Sequence, residues 1–330
     1  MLLFAASVLA LPAVPAYFSD GKAAAEASLP EISTTPEPSG GSEMHTAGVY
    51  RVLDISTGEV IEVPAEEYII GAVCAEMPAS FEPEALKAQA VAAHTYAERQ
   101  RLRELENPTP ELCGADFSND TSKYQGYFTL NQAKQYFGEN FEVNYNKIKA
   151  AAGEVSGYIL TYEDEPIVSA FHSMSSGRTE SAENAWGTPV DYLVSVDSSA
   201  DTSAPKYLEE VTFPADELKS LLEKKLGITK LGEDVSSWIK ITETSDSGTV
   251  LTVSAGGKTI SGNDLREALS LRSACFEITC GDNSVMFTTK GYGHGVGMSQ
   301  YGANSMAQEG STWREILEHY YSGCEIVMAE

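Results

Sequence analysis

Positive charge is scarce in this chain. Lys and Arg number 22 against 48 Asp and Glu in 330 residues, a formal net charge of −26. So acidic a surface repels phosphate backbones, and no Lys/Arg-rich run offsets it, so no nucleic acid is expected as a partner. An anionic polymer could be held only at a local basic patch. Cysteine is scarce as well. Cys74, Cys113, Cys275, Cys280 and Cys324 contain no CxxC pair, which excludes a zinc ribbon and a thioredoxin-like motif. Cys275 and Cys280 stand five apart in an apparent strand, with side chains on opposite faces. All five are expected as small buried apolar residues. The five histidines form no HExxH motif and no short His-x-His pair. The Gly-Lys-Ser/Thr of a phosphate loop and the Gly-x-Ser-x-Gly of a serine hydrolase are also missing.

What is present is ordinary globular material, 42% hydrophobic, between two boundaries. Residues 1–18, MLLFAASVLALPAVPAYF, are apolar and carry neither acid nor base. They read as a signal peptide or membrane anchor, which makes the remainder extracytoplasmic, membrane-anchored or secreted. Residues 19–48 are rich in Ser, Thr, Pro, Gly, Ala and Glu, a composition too polar to fold, and read as a flexible linker. Residues 49–330 form the globular part. Val49 to Val63 has strand character with a turn at Thr57-Gly58. One helix follows Pro64 and ends at Met77-Pro78. A second, alanine-rich helix starts with Pro83 in its first turn and runs to about Leu105. A hairpin spans GYILTYEDEPIVSAFHS, and residues 206–280 read as an inserted smaller α+β unit. The expected fold class is α+β: mixed helices and antiparallel strands around a groove.

Four features could carry chemistry. Glu76 closes an apolar helix, where helix carbonyls and apolar neighbours both disfavour its charge, as suits a general acid. A solvated helix-end glutamate is the plainer alternative. Lys87, Val91, His94 and Glu98 share one stripe at helical spacing, either lining a groove or simply solvated. Phe171 to Gly177, FHSMSSG, sets His172, Ser173 and Ser175 at a strand end, suiting a sugar-binding loop, with Glu183, Trp186 and Tyr192 beyond it. Gly291 to Gly302, GYGHGVGMSQYG, holds His294, Gln300 and Tyr301 on a glycine-rich turn.

Taken in order, VPAEEYIIGAVCAEMPASFEPEALKAQAVAAHTYA, FHSMSSGRTESAENAWG, DYLVSVDSSAD, SGNDLREALSLRS and GYGHGVGMSQYGANSMA resemble the stage II sporulation protein D family, which includes amidase-enhancer proteins. The resemblance covers about Val49 to Ile326. It implies a lytic transglycosylase acting on peptidoglycan glycan strands, stripped of peptides by a partner cell-wall amidase, during forespore engulfment. Glu76 matches the family's catalytic glutamate. Lys87, Tyr192 and Asp201 match supporting positions. His94, His172, Ser173, Ser175, His294, Gln300 and Tyr301 are the further residues expected to bind substrate. The implied alternative is a non-catalytic amidase enhancer or wall-binding protein. His94 departs from the family, which has Arg there; a titratable ring replaces a permanent guanidinium. Some members bind zinc through Cys and His in the loop after the second helix. Here Ala115 to Tyr127 has neither, so neither metal nor cofactor is expected.

Overall fold

A computed structural model describes residues 46–329. The expected leader at 1–18, and the linker up to residue 45, lie outside the described residues. Strands β1 (Val49–Asp54) and β2 (Glu59–Pro64) form an antiparallel hairpin. Gly58 takes a φ of +74° at its turn, a conformation open to glycine at little cost. Helix α1 (Ala65–Glu76) starts after Pro64 with Glu66 and Glu67 in its first turn, where they complement the helix dipole. It ends because Met77, before Pro78, is held extended at φ −124°. Tyr68 to Ala75 are all buried, so α1 is a core helix without a solvent face.

Helix α2 (Pro83–Glu106) lies against it, with Pro83 in the first turn. Ala85, Ala88, Ala90, Ala92, Ala93 and Ala97 are buried and let other elements approach closely. Short strand β3 (Phe117–Ser118) joins β1 in parallel. Helices α3 (Leu130–Phe137) and α4 (Phe141–Glu154) follow, the first capped by Thr129 and Gln132. β4 (Tyr158–Tyr162) pairs with β5 (Glu165–Pro166), giving the expected hairpin. β6 (Phe171–His172) leads to the short helix α5 (Ala182–Trp186).

A second apolar cluster is built from β7 (Leu208–Pro214), α6 (Ala215–Leu226), β8 (Ile239–Thr244), β9 (Val250–Ala255), β10 (Lys258–Ser261), α7 (Gly262–Leu269), β11 (Phe276–Cys280) and β12 (Ser284–Lys290). β12 is the middle strand between β11 and β7, so this packing extends past the Cys280 boundary expected from the sequence. The chain then returns to the first cluster through β13 (Met298–Ser299), α8 (Gln300–Gln308), α9 (Trp313–Tyr320) and β14 (Glu325–Met328). β13 pairs in parallel with β6, and β14 pairs with β4. The fold is α+β. Among the described residues, no helix is long and apolar enough to cross a membrane.

Two expectations are corrected. All five cysteines are free, but Cys113 and Cys280 are exposed; Cys280 ends a strand whose outer half faces solvent. The stripe on α2 is not a solvated face. Val91, His94 and Glu98 are buried, because other elements pack around the middle of this long helix.

Gly71 shows how tightly α1 is enclosed. Its carbonyl accepts the Phe128 N–H at 3.0 Å, and an added Cβ would sit 2.3 Å from the Phe128 oxygen. Gly71→Ala is therefore expected to lower the unfolding free energy by about 1–3 kcal/mol, read from the midpoint of urea denaturation.

Candidate active site

Glu76 stands where α1 runs out. The extended Met77 turns the chain away, and the carboxylate is left half-buried at the helix end. The Gly126 N–H donates to its Oε1 at 3.2 Å. Oε2 has no hydrogen-bond partner among the described residues. Burial pushes the carboxyl up to about 7 from an ordinary 4.5, and the Gly126 N–H acts in the opposite direction by favouring the anion. Among the described residues, no other charged group bears on it. The main chain of Glu76 is also held: the Gln300 amide donates to its carbonyl at 2.9 Å and to Gln89 Oε1 at 3.3 Å. Gln89 is fully buried in the alanine run of α2, and its Nε2 has no partner among the described residues.

Gln300 opens α8, directly after β13, and this connection brings the glycine-rich turn to Glu76. In the β6–β13 pair Ser299 lies opposite His172. Gly297, at φ +71°, has Ala170 oxygen 2.0 Å from where a Cβ would stand, so only glycine lets the two chains meet. His172 is buried. Its Nδ1 donates to the Val296 carbonyl at 3.1 Å, and its Nε2 has no partner among the described residues. Burial, helped by neighbouring His294, drives its pKa down to about 3, so the ring is neutral. His294 Nδ1 accepts the Val296 N–H at 3.0 Å. Its ring lies 5.7 Å from that of His172 and 5.6 Å from that of Trp186, centre to centre. Beside His294 a small cleft opens toward the second apolar unit, lined in part by Ser176, Glu180, Thr249, Ser273 and Lys290.

The remaining expected residues have protein partners. Lys87 bonds Glu84 at 2.7 Å and Glu154 at 2.6 Å. His94 donates from Nδ1 to the Tyr158 carbonyl at 3.2 Å, and burial lowers its pKa, so it supplies no cation at neutral pH. The Tyr192 hydroxyl accepts the Val168 N–H at 2.9 Å. Asp201 is fully enclosed and accepts from the Ser175 N–H and hydroxyl, from Ser198 and from Ser299. Its place is inside the frame, where it fixes Ser175 and Ser299 and through them the two loops. The Ser173 carbonyl accepts the Tyr301 N–H at 3.0 Å, and the Tyr301 ring packs edge-on against Phe81. Glu76, Gln300 and the His172–His294 pair thus belong to one continuous structure. His94, Tyr192 and Asp201 are buried within the fold, and Lys87 is half-buried between Glu84 and Glu154.

Sequence reasoning missed Gly126, Gln89 and Glu180. Gly126 contributes a backbone N–H, which no residue type announces. Gln89 did leave a signal, a lone amide in an apolar alanine run. Glu180 accepts from Ser245, Ser247, Asn184 and the Ser181 N–H, and so ties the second unit to the glycine-rich turn. Among the described residues, no group of three or more His, Cys, Asp and Glu side chains could hold a metal ion.

The sequence that carries Glu76, the strand-end histidine loop and the glycine-rich turn matches a known protein class. The SpoIID family model, described as stage II sporulation protein, matches residues 54–162. The stage II sporulation protein D of Bacillus amyloliquefaciens is 42% identical over 282 residues, covering 86% of this chain and 78% of the relative. That of Bacillus subtilis is 39% identical over 309 residues, covering 93% and 88%. The amidase enhancer of B. subtilis is 28% identical, covering 77% of this chain and 39% of that protein. The chain belongs to the stage II sporulation protein D family.

A raised carboxyl pKa has a consequence for stability. Below about pH 4.5 the group is protonated folded or unfolded, and burial costs little. As pH rises toward about 7 the unfolded chain ionises first, so the folded state loses stability across that window. Glu76→Gln is expected to be more stable than the wild type above pH 7 by on the order of 2 kcal/mol, a figure discounted for partial exposure. The gap should close below pH 4.5. Urea denaturation at the two pH values checks this.

Proposed function

We propose that this protein is a lytic transglycosylase that cleaves peptidoglycan glycan strands to 1,6-anhydro-sugar ends, with Glu76 as its only acid/base. The observation that carries the reading is the setting of that carboxyl: it sits half-buried at the end of α1, where burial pushes its pKa up to about 7, with one oxygen held by the Gly126 N–H and the other without a partner among the described residues. An N–H donor on Oε1 favours placing the proton on Oε2. Protonated Oε2 would deliver it to the glycosidic oxygen as an oxocarbenium-like centre develops at C1 and the bond to the leaving sugar breaks. The resulting carboxylate would then take the proton of the sugar's own 6-hydroxyl as that oxygen bonds to C1. Water is not the nucleophile, so the second carboxyl of ordinary glycosidases is not required. A pKa near the working pH serves both steps, since the group must give a proton and take one back. His172, Ser173, Ser175, His294, Gln300 and Tyr301 belong to elements that would flank the strand. The Trp186 ring beside His294 could stack on a pyranose face.

The relatives' names support a role in sporulation, and we take the substrate to be strands already stripped of stem peptides. The likeness to an amidase enhancer supports a cell-wall amidase as partner. The apolar residues 1–18 support an extracytoplasmic location, secreted or tethered to the membrane through the N-terminus.

Glu76→Gln keeps the size of the side chain and removes its proton chemistry. Digestion of peptide-free glycan strands is expected to fall by at least about 100-fold, with loss of anhydro ends by mass spectrometry. Full activity in this variant would sink the assignment. A wild type that forms no anhydro ends, yet stimulates an amidase, would instead make the protein a binding module.

A further inference from the structure

The N–H that Glu76 receives comes from a loop, and loops do not aim themselves. This loop is held by hydrogen bonds to the two helices beside Glu76. The Gln125 N–H donates to the Tyr96 hydroxyl, from the middle of α2, at 3.1 Å. Gln100, one turn further on, donates its Nε2 to the same oxygen at 3.4 Å. The Tyr68 hydroxyl on α1 donates to Gln125 Oε1 at 3.4 Å. Two residues past Gly126, the Phe128 N–H closes onto Gly71. Gly126 is therefore strung between two anchored residues. Its contact with Glu76 is already 3.2 Å long, so a few tenths of an ångström would break it. Gln125 Nε2 is buried without a partner among the described residues. Such a cost is unusual for a loop free to relax, and it marks a position held by its other bonds.

We propose that Tyr96 is a positioning residue for Glu76: its hydroxyl holds the Gln125 peptide and so sets the next N–H, that of Gly126, on Glu76 Oε1. Tyr96 does not touch the reacting atoms. It decides which oxygen of the acid is occupied and how readily that acid keeps its proton. The kinetic consequence rests on Glu76 being the acid; the contact itself does not.

The surroundings leave little else to shift Glu76. On α1 the facing titratable group is Tyr68, and on α2 it is Tyr96, both held above the ordinary phenol range by burial and therefore neutral. The loop contributes Tyr127, also raised by burial, and α8 contributes the uncharged Gln300. An N–H that favours the anion lowers the carboxyl pKa, so losing it must raise that pKa.

The test is a titration of the Glu76 carboxyl by carbon-13 NMR in the full chain labelled at glutamate Cδ, with the signal assigned by its loss in Glu76→Gln. In Tyr96→Phe the midpoint is expected to rise by about half a unit to one unit. The alkaline limb of glycan cleavage should move up with it, while KM stays near the wild-type value. Tyr68→Phe, which frees Gln125 at its other end, should shift the midpoint the same way by less. A Glu76 that titrates as in the wild type in both variants, with unchanged thermal melts, overturns the proposal. If Glu76→Gln keeps full cleavage while Tyr96→Phe still shifts the midpoint, the positioning role holds and only the assignment of the acid fails.

Discussion

One hydrogen bond joins the beginning of this fold to its end. The Gln300 side-chain amide reaches the Glu76 carbonyl, and in the same fork it meets Gln89. A helix end has carbonyls without helical partners, and here one of them is satisfied by a residue 224 positions away. That contact places α8 against α1 and α2. Just before Gln300, β13 pairs with β6, which brings the His172 loop and the glycine-rich turn to the side of the fold where Glu76 sits. Elsewhere the return of the chain is secured by other long-range bonds, such as Ser198 with Tyr320 and the Tyr321 hydroxyl on the Ala170 carbonyl.

The site is built from groups that work against the stability of the fold. Glu76 sits at the end of a helix with no solvent face, where ionisation is penalised. Gln89 and His172 each keep a buried polar atom unpaired. Such groups are tolerated because the surrounding frame is amply satisfied. Asp201 takes four hydrogen bonds, and Glu98 binds the Tyr50 hydroxyl, the Ala47 N–H and Arg101. Acidic residues therefore do two kinds of work here. Asp201 and Glu98 are saturated and structural, whereas Glu76 has a single donor and an open oxygen.

Much of the secondary structure was legible. Pro64, Met77-Pro78 and Pro83 mark the helix boundaries by backbone sterics that act locally, and α1 and α2 fall where those residues put them. Thr312 and Glu315 close a capping box at the start of α9, a local feature of the same kind. Burial was less legible. His94 and Glu98 look like a solvated helix stripe, because a polar residue is buried only when a partner arrives, and their partners come from distant segments. Tyr158 serves His94, and Tyr50 serves Glu98.

The sequence by itself determined the family, the helix that ends in Glu76, and the glycines that let chains cross at Gly297. These follow from residue type and local spacing. Only the tertiary structure decided the condition of Glu76. Its neighbours in sequence announce a helix end, but its partial burial comes from elements packed around it, and among the described residues its one donor is a main-chain N–H of a loop fifty residues on. A carboxyl pKa is a property of surroundings, and here those surroundings come from remote parts of the chain.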